Sequence, residues 1–209
     1  MLINYDLIKN ILKSMSIQVT GAFHIGAHDC EELGFYKGLG LAETDVVWID
    51  AIERKVNEAK AKGISNIYTA VVTDKDDDTV TFNVSNNVQS SSVLKFKTHA
   101  QMYPGVVFVD KFTSKTTTID TFFEKNSIDV AKHNFWNFDI QGAELLALKG
   151  ATKALSSAKA LYLEVNEKEL YEGCGLIGEI DSFVATYGFR RVLTEMTPFG
   201  WGDALYVKF

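Results

Sequence analysis

The sequence predicts a doubly wound α/β fold. It would be one domain over residues 1–209, with a mostly parallel sheet and an antiparallel strand at its end. Three observations predict this. Short apolar runs alternate with helix-period segments, as at 22–25, 46–49 and 160–165. Several of those runs give way to a glycine or a carboxylate: Gly26, Asp50, Asp139 and Glu164. The chain then closes on two β-type runs flanking a Pro/Gly turn at 198–202, which reads as a hairpin.

The elements follow in order. Within an N-terminal segment 1–18, Leu7, Ile8, Ile11, Leu12 and Met15 share one stripe, which predicts an amphipathic helix with Asn4 as N-cap. A first strand covers about 20–25, and a helix follows over 29–38, ending in Gly38-Leu39-Gly40. The second strand is 45–50, and the helix 53–62 stops at Gly63. Residues 66–72 read as a third strand. The rhythm changes over 74–119, where a charged turn, a period-2 run at 79–84 and β-type runs at 106–109 and 116–119 predict an insertion of antiparallel strands and loops. Alternation resumes with a helix near 120–126, a strand near 134–139, a helix over 142–149 ending at Gly150, and a short helix at 151–157. The strand 160–165, the helix 177–187 and the terminal runs 189–193 and 204–209 complete the chain.

Bulk properties exclude several classes. Apolar residues make up 46% and charged residues 23%, ordinary values for a globular domain. No apolar run approaches the ~20 residues needed to cross a bilayer, and the first residues lack the pattern of a signal peptide. Net charge is -6 and there is no Lys/Arg cluster, so no nucleic-acid partner is expected. Only two cysteines occur, Cys30 and Cys174, which favours a reducing interior and predicts a cytoplasmic location.

The chemistry is expected at the strand tips. In an open α/β sheet, ligands sit outside the carboxyl ends of the strands, where strand order reverses. Gly26 would let backbone approach a ligand, and Asp50 would accept hydrogen bonds from ribose hydroxyls. The turn at Gly26 lacks the G-x-G-x-x-G that cradles a pyrophosphate, which favours a nucleoside cofactor without phosphates, S-adenosylmethionine. Either residue alone reads as an ordinary turn or cap; the pairing in the first two β/α units makes the case. A third tip carries Asp139, followed by Gln141, Gly142 and Glu144. A fourth carries Glu164 and Asn166.

At these residues a resemblance becomes specific. Phe138-Asp139-Ile140-Gln141-Gly142-Ala143-Glu144, continuing to Gly150-Ala151, resembles the D-V-x-G-x-E-x-x-x-L-x-G-A signature of FkbM-type S-adenosylmethionine-dependent methyltransferases. His24-Ile25-Gly26-Ala27-His28 is similar to that family's cofactor loop. Thr118-Ile119-Asp120-Thr121-Phe122 and Ser90-Ser91-Ser92-Val93-Leu94 resemble two further segments, and the likeness covers about residues 20–209. It implies a Rossmann-like class I methyltransferase sheet. It also implies O-methylation of a sugar, a glycan or a similar small hydroxylated acceptor. Cofactor contacts are then expected from His24, Gly26, Ala27, His28, Glu32, Asp50, Ala51, Val71, Val72, Asp139, Ile140 and Gln141. The family usually has an acid where this chain has His24, so Glu31 and Glu32 are expected to supply that charge.

Methyl transfer from an activated sulfonium needs alignment and removal of one proton. The candidate bases are Asp139 first, then Glu164 and His133. Ser91, Ser92, Asn166 and Trp201 are the expected acceptor contacts. Asp139 with Glu164 would begin a divalent-metal site, but no full ligand set is visible and none is favoured. His24, His28, Cys30 and Cys174 match no zinc spacing. The competing reading is a non-catalytic S-adenosylmethionine-binding module of a larger glycan-modifying protein, motivated by His24. A nicotinamide-dependent oxidoreductase is disfavoured by the single-glycine turn.

Overall fold

The computed structural model describes all 209 residues as one α/β unit. Its strands are β1 (Ala22–Ile25), β2 (Val46–Asp50), β3 (Ile67–Thr69), β4 (Val71–Val72), β5 (Thr79–Ser85), β6 (Phe108–Thr117), β7 (Phe135–Phe138), β8 (Ala160–Asn166), β9 (Phe189–Met196) and β10 (Trp201–Lys208). Its helices are α1 (Tyr5–Ser14), α2 (Leu33–Gly38), α3 (Glu53–Ala61), α4 (His99–Met102), α5 (Ile119–Lys125), α6 (Glu144–Lys149) and α7 (Ile177–Ala185).

Seven strands form one sheet in the order β3-β2-β1-β7-β8-β10-β9. The first five are parallel; β10 runs antiparallel between β8 and β9. The central strands are buried on both faces, which is why they read as continuous apolar runs. One core, built on Phe23, Ile49, Trp136, Phe138 and Leu163, packs against α5, α6 and α7. The other, built on Trp48, Phe135 and Tyr162, packs against α1, α2 and α3. Strand order reverses between β1 and β7, so the crevice lies at their carboxyl ends. Asn4 caps α1 through its side chain, as expected.

The structure differs from expectation in four places. The run 66–72 divides at Ala70: its first half pairs with β2, while Val71–Val72 leaves for a second sheet of order β4-β6-β5. The runs at 106–109 and 116–119 overlap the two ends of a single strand, β6, which pairs with β5. The helix over 29–38 starts only at Leu33, because His28 and Cys30 adopt positive φ in the turn after β1. Residues 151–157 form a single 3-10 turn at Ala154–Ser157. No helix is long and apolar enough to cross a membrane.

Candidate functional site

Two chambers meet at the β1/β7 crevice. The first spans about 610 Å³ of space, part of it open solvent. Its walls are chiefly apolar: Ile52, Val71, Val72, Phe82 and Ile140 contribute, with Asp50 at the tip of β2. The second spans about 1380 Å³, again partly open solvent, and is rich in acids and aromatics. Gly26, His28, Gln89 and Asp139 line both and mark the junction.

Backbone chemistry builds that junction. Gly26 has φ +94, and a Cβ there would stand 1.9 Å from the Asp139 carbonyl oxygen. Only glycine lets the two loops close on each other. Asp50 ties the turn after β1 to the turn after β2. Its Oδ2 accepts from the His28 N–H at 2.8 Å and its Oδ1 from the Ile52 N–H at 2.8 Å. Burial raises Asp50 above the usual carboxylate range, while those two N–H donors pull it back. Glu144, fully buried at the start of α6, accepts from Ile140 N–H at 2.9 Å and from Gly142 N–H at 3.3 Å, so it shapes the turn that carries Asp139 and Gln141. Burial pushes Glu144 up to about 8. Three non-glycine residues lining the chambers hold positive φ: His28, Val88 and Gln141. Such strain collects where a fold clamps a ligand.

A carboxyl pair stands at the polar end. Gln141 Nε2 donates to Asp139 Oδ1 at 2.7 Å and to Glu164 Oε2 at 2.6 Å. Gln141 Oε1 accepts from Tyr171 O–H at 2.6 Å, which fixes the orientation of the amide. Asp139 is exposed; Glu164 is buried. Burial first, then the charge of Asp139, raises Glu164 well above the usual carboxylate range. Of the two carboxyls, the exposed Asp139 is the one open to a bound acceptor.

The expected site residues divide. Gly26, His28, Asp50, Ala51, Val71, Val72, Ser91, Asp139 and Ile140 line the apolar chamber. Glu32, Gln141, Glu164 and Trp201 line the polar one. Five expected residues line neither chamber. His24 points into the α2 side of the sheet, where Nδ1 meets the Tyr36 hydroxyl at 2.8 Å and the ring stacks on Trp48. Its burial lowers it to about 4, so it is neutral packing. Ala27 is buried, and its N–H is used on the Ile49 carbonyl at 3.0 Å. His133 lies before β7, at the opposite end of the sheet from Asp139, with Nδ1 3.0 Å from the Asp129 carbonyl oxygen. Ser92 Oγ donates to the Gln141 carbonyl at 2.9 Å and supports the turn from behind. Asn166 is fully buried and reaches neither chamber.

Other lining residues escaped sequence reasoning. Phe82, Val88 and Val93 come from the 74–119 region, and Tyr5, Tyr103 and Asp203 from α1, the stretch after α4 and β10. Only the inward face of the period-2 run 79–84 carried a signal, at Phe82. His28, Asp29 and Glu31 cluster closely enough to hold a metal ion, yet Asp29 already pairs with Lys55 at 2.7 Å and Lys62 at 3.1 Å.

No curated protein matches the sequence. Among solved structures, the chain is similar to a magnesium protoporphyrin IX methyltransferase (ChlM) from Synechocystis PCC 6803 with bound SAM. That likeness has 13% identity and a TM-score of 0.43, covering 98% of this chain and 78% of that one. A SAM-dependent methyltransferase from Aquifex aeolicus matches with 12% identity and a TM-score of 0.40, covering 96% and 89%. The methyltransferase domain of bacterial CtHen1-C matches with 9% identity and a TM-score of 0.43, covering 98% and 96%. The assignment rests on the family match instead: the Methyltransferase FkbM domain covers residues 24–191, from β1 into β9. The chain belongs to the FkbM methyltransferase family.

Proposed function

We propose that this protein transfers a methyl group from S-adenosylmethionine to a hydroxyl of a sugar, a glycan or a similar small hydroxylated acceptor. The observation that carries the reading is the meeting of an apolar chamber and a polar chamber at Asp139. The apolar chamber fits a nucleoside: aliphatic walls suit a base, and Asp50 at the β2 tip suits ribose hydroxyls. Glu32, in the polar chamber beside the junction, suits the methionyl ammonium. Bound there, the donor supplies an electrophilic methyl on a sulfonium.

The chain's own work is positioning and one proton transfer. Gln141 holds Asp139 through Oδ1, and the carboxylate stands at the junction of the two chambers. With the donor bound, that carboxylate would take the acceptor's hydroxyl proton as the acceptor oxygen takes the methyl from the sulfonium. Glu164, raised by burial and by the charge of Asp139, shares the Gln141 amide with it. The histidine that motivated a binding-only module is a packed, neutral side chain, so its departure from the family pattern leaves the junction intact.

The test is S-adenosylhomocysteine release over a panel of hydroxylated sugars, with the methyl position read by NMR. Asp139→Asn is expected to lower kcat about 10²–10⁴-fold while S-adenosylhomocysteine binding persists, the usual worth of a general base. Transfer to nitrogen or carbon, or full turnover by the variant, overturns the reading.

A further inference from the structure

The polar chamber has a charge composition that methyl transfer alone does not require. Glu31, Glu32, Asp139, Glu164 and Asp203 line it, and no Lys or Arg does. The Met1 amino group also lines it and stands 3.8 Å from Glu32. At the far side, Asp203 on β10 sits directly opposite Glu164 on β8 in the antiparallel register, and both are buried. Burial raises both above the usual carboxylate range, and a cation held between them is what would favour their ionised forms. Asp203 Oδ2 accepts from the Leu2 N–H and the Tyr162 hydroxyl, and its Oδ1 takes no hydrogen bond from the chain.

The walls above those acids are aromatic. Tyr103, Tyr171 and Trp201 line the chamber, and Trp201 Nε1–H donates to the Tyr103 hydroxyl at 2.9 Å, which locks the two rings together. His99 also lines it. That residue is 5% exposed, its ring stacks on Phe96 at 4.2 Å, and its Nδ1 is buried without a hydrogen-bond partner. Burial lowers His99, so the ring is neutral and has one nitrogen able to accept a hydrogen bond. Acids below and aromatic faces around them attract a cation and repel an anion.

We infer that the acceptor carries a free amino group, held as its ammonium at Asp203 beside Glu164, with the sugar ring against Trp201 and Tyr103. The class is an amino sugar or an amino-sugar oligosaccharide; phosphorylated sugars and uronic acids are excluded by charge. The methyl still goes to a hydroxyl at Asp139, because a protonated amine has no lone pair to attack with. This inference rests on the methyltransferase reading above.

The experiment uses the full chain saturated with S-adenosylhomocysteine, at a pH where the amine is protonated. A glucosamine tetrasaccharide, its fully N-acetylated counterpart and a galacturonate tetrasaccharide are titrated calorimetrically. The amine-bearing ligand is expected to bind at least about tenfold more tightly than the acetylated one, with no binding of the uronate. Asp203→Asn, which retains an acceptor oxygen for Leu2 and Tyr162, is expected to cut that preference below about threefold. Equal binding of the first two ligands, preference for the uronate, or no binding of any of the three overturns the inference. So does an undiminished preference in a folded Asp203→Asn. The wild-type comparison decides the matter even where that variant does not fold. Failure of the chain to bind S-adenosylhomocysteine at all would instead undo the methyltransferase reading.

Discussion

Replacing Gly26 by alanine isolates what the β1/β7 junction requires. At φ +94 an L-residue pays about 1–2 kcal/mol for its Cβ. The new methyl would also stand 1.9 Å from the Asp139 carbonyl oxygen, so that carbonyl must retreat by about 1.5 Å to reach ordinary contact. Forced overpacking of this kind adds about 1–3 kcal/mol. The expected loss is therefore about 2–5 kcal/mol, a fall in Tm of roughly 4–20 °C for a domain of this size. Moving Asp139 also misplaces the proposed base, and a displacement near 1 Å costs about 10²-fold in turnover. Gly63→Ala is the control: its φ is +93, but nothing lies within 4 Å of the added Cβ. It carries the same backbone strain without the collision. Thermal melts, calorimetry with S-adenosylhomocysteine and methyl release are run on both variants. If Gly26→Ala melts no lower than Gly63→Ala and binds and turns over as wild type, the close approach of the two loops is not what shapes the site.

Three further outcomes are expected. Asp50→Asn keeps one acceptor oxygen but turns an N–H₂ toward either the His28 or the Ile52 amide; S-adenosylhomocysteine binding should weaken about tenfold or more by calorimetry. His24 holds fewer protons folded, at about 4, than unfolded near its ordinary 6.5, so its contribution to stability is whole above 6.5 and is lost as pH falls toward 4. That loss amounts to about 3 kcal/mol, and the difference in Tm between wild type and His24→Asn across that window measures it. Glu144 behaves oppositely: raised to about 8, it holds more protons folded than unfolded, so its contribution is whole below about 4.5 and is lost as pH rises toward 8. Glu144→Gln keeps the acceptor for Ile140 and Gly142 and should flatten the stability loss between pH 5 and 8 in denaturant titrations.

The errors of sequence reading have a common physical source. His133 is six residues from Asp139, yet a strand rising about 3.3 Å per residue puts it some 20 Å away, at the amino end of β7. His24 shares a strand with the turn at Gly26, but period-2 alternation aims its ring into the core beside Tyr36 and Asn137. Asn166 and Ser92 sit at plausible positions along the chain with their side chains turned inward. In each case nearness in sequence was read as nearness in space.

Order along the chain decides what a sequence can show. The apolar strands buried on both faces, the carboxyl tips at Asp50 and Asp139, the glycine at 26 and the antiparallel end were all written locally, because period, turn chemistry and strand length are local properties. The polar chamber was not. It joins Tyr5 of α1, His99 of α4, Tyr171 and the β8/β10 register that sets Asp203 against Glu164, residues as far as 198 positions apart along the chain. No periodicity carries such information. It exists only once seven strands have taken their order and each side chain has been assigned a face.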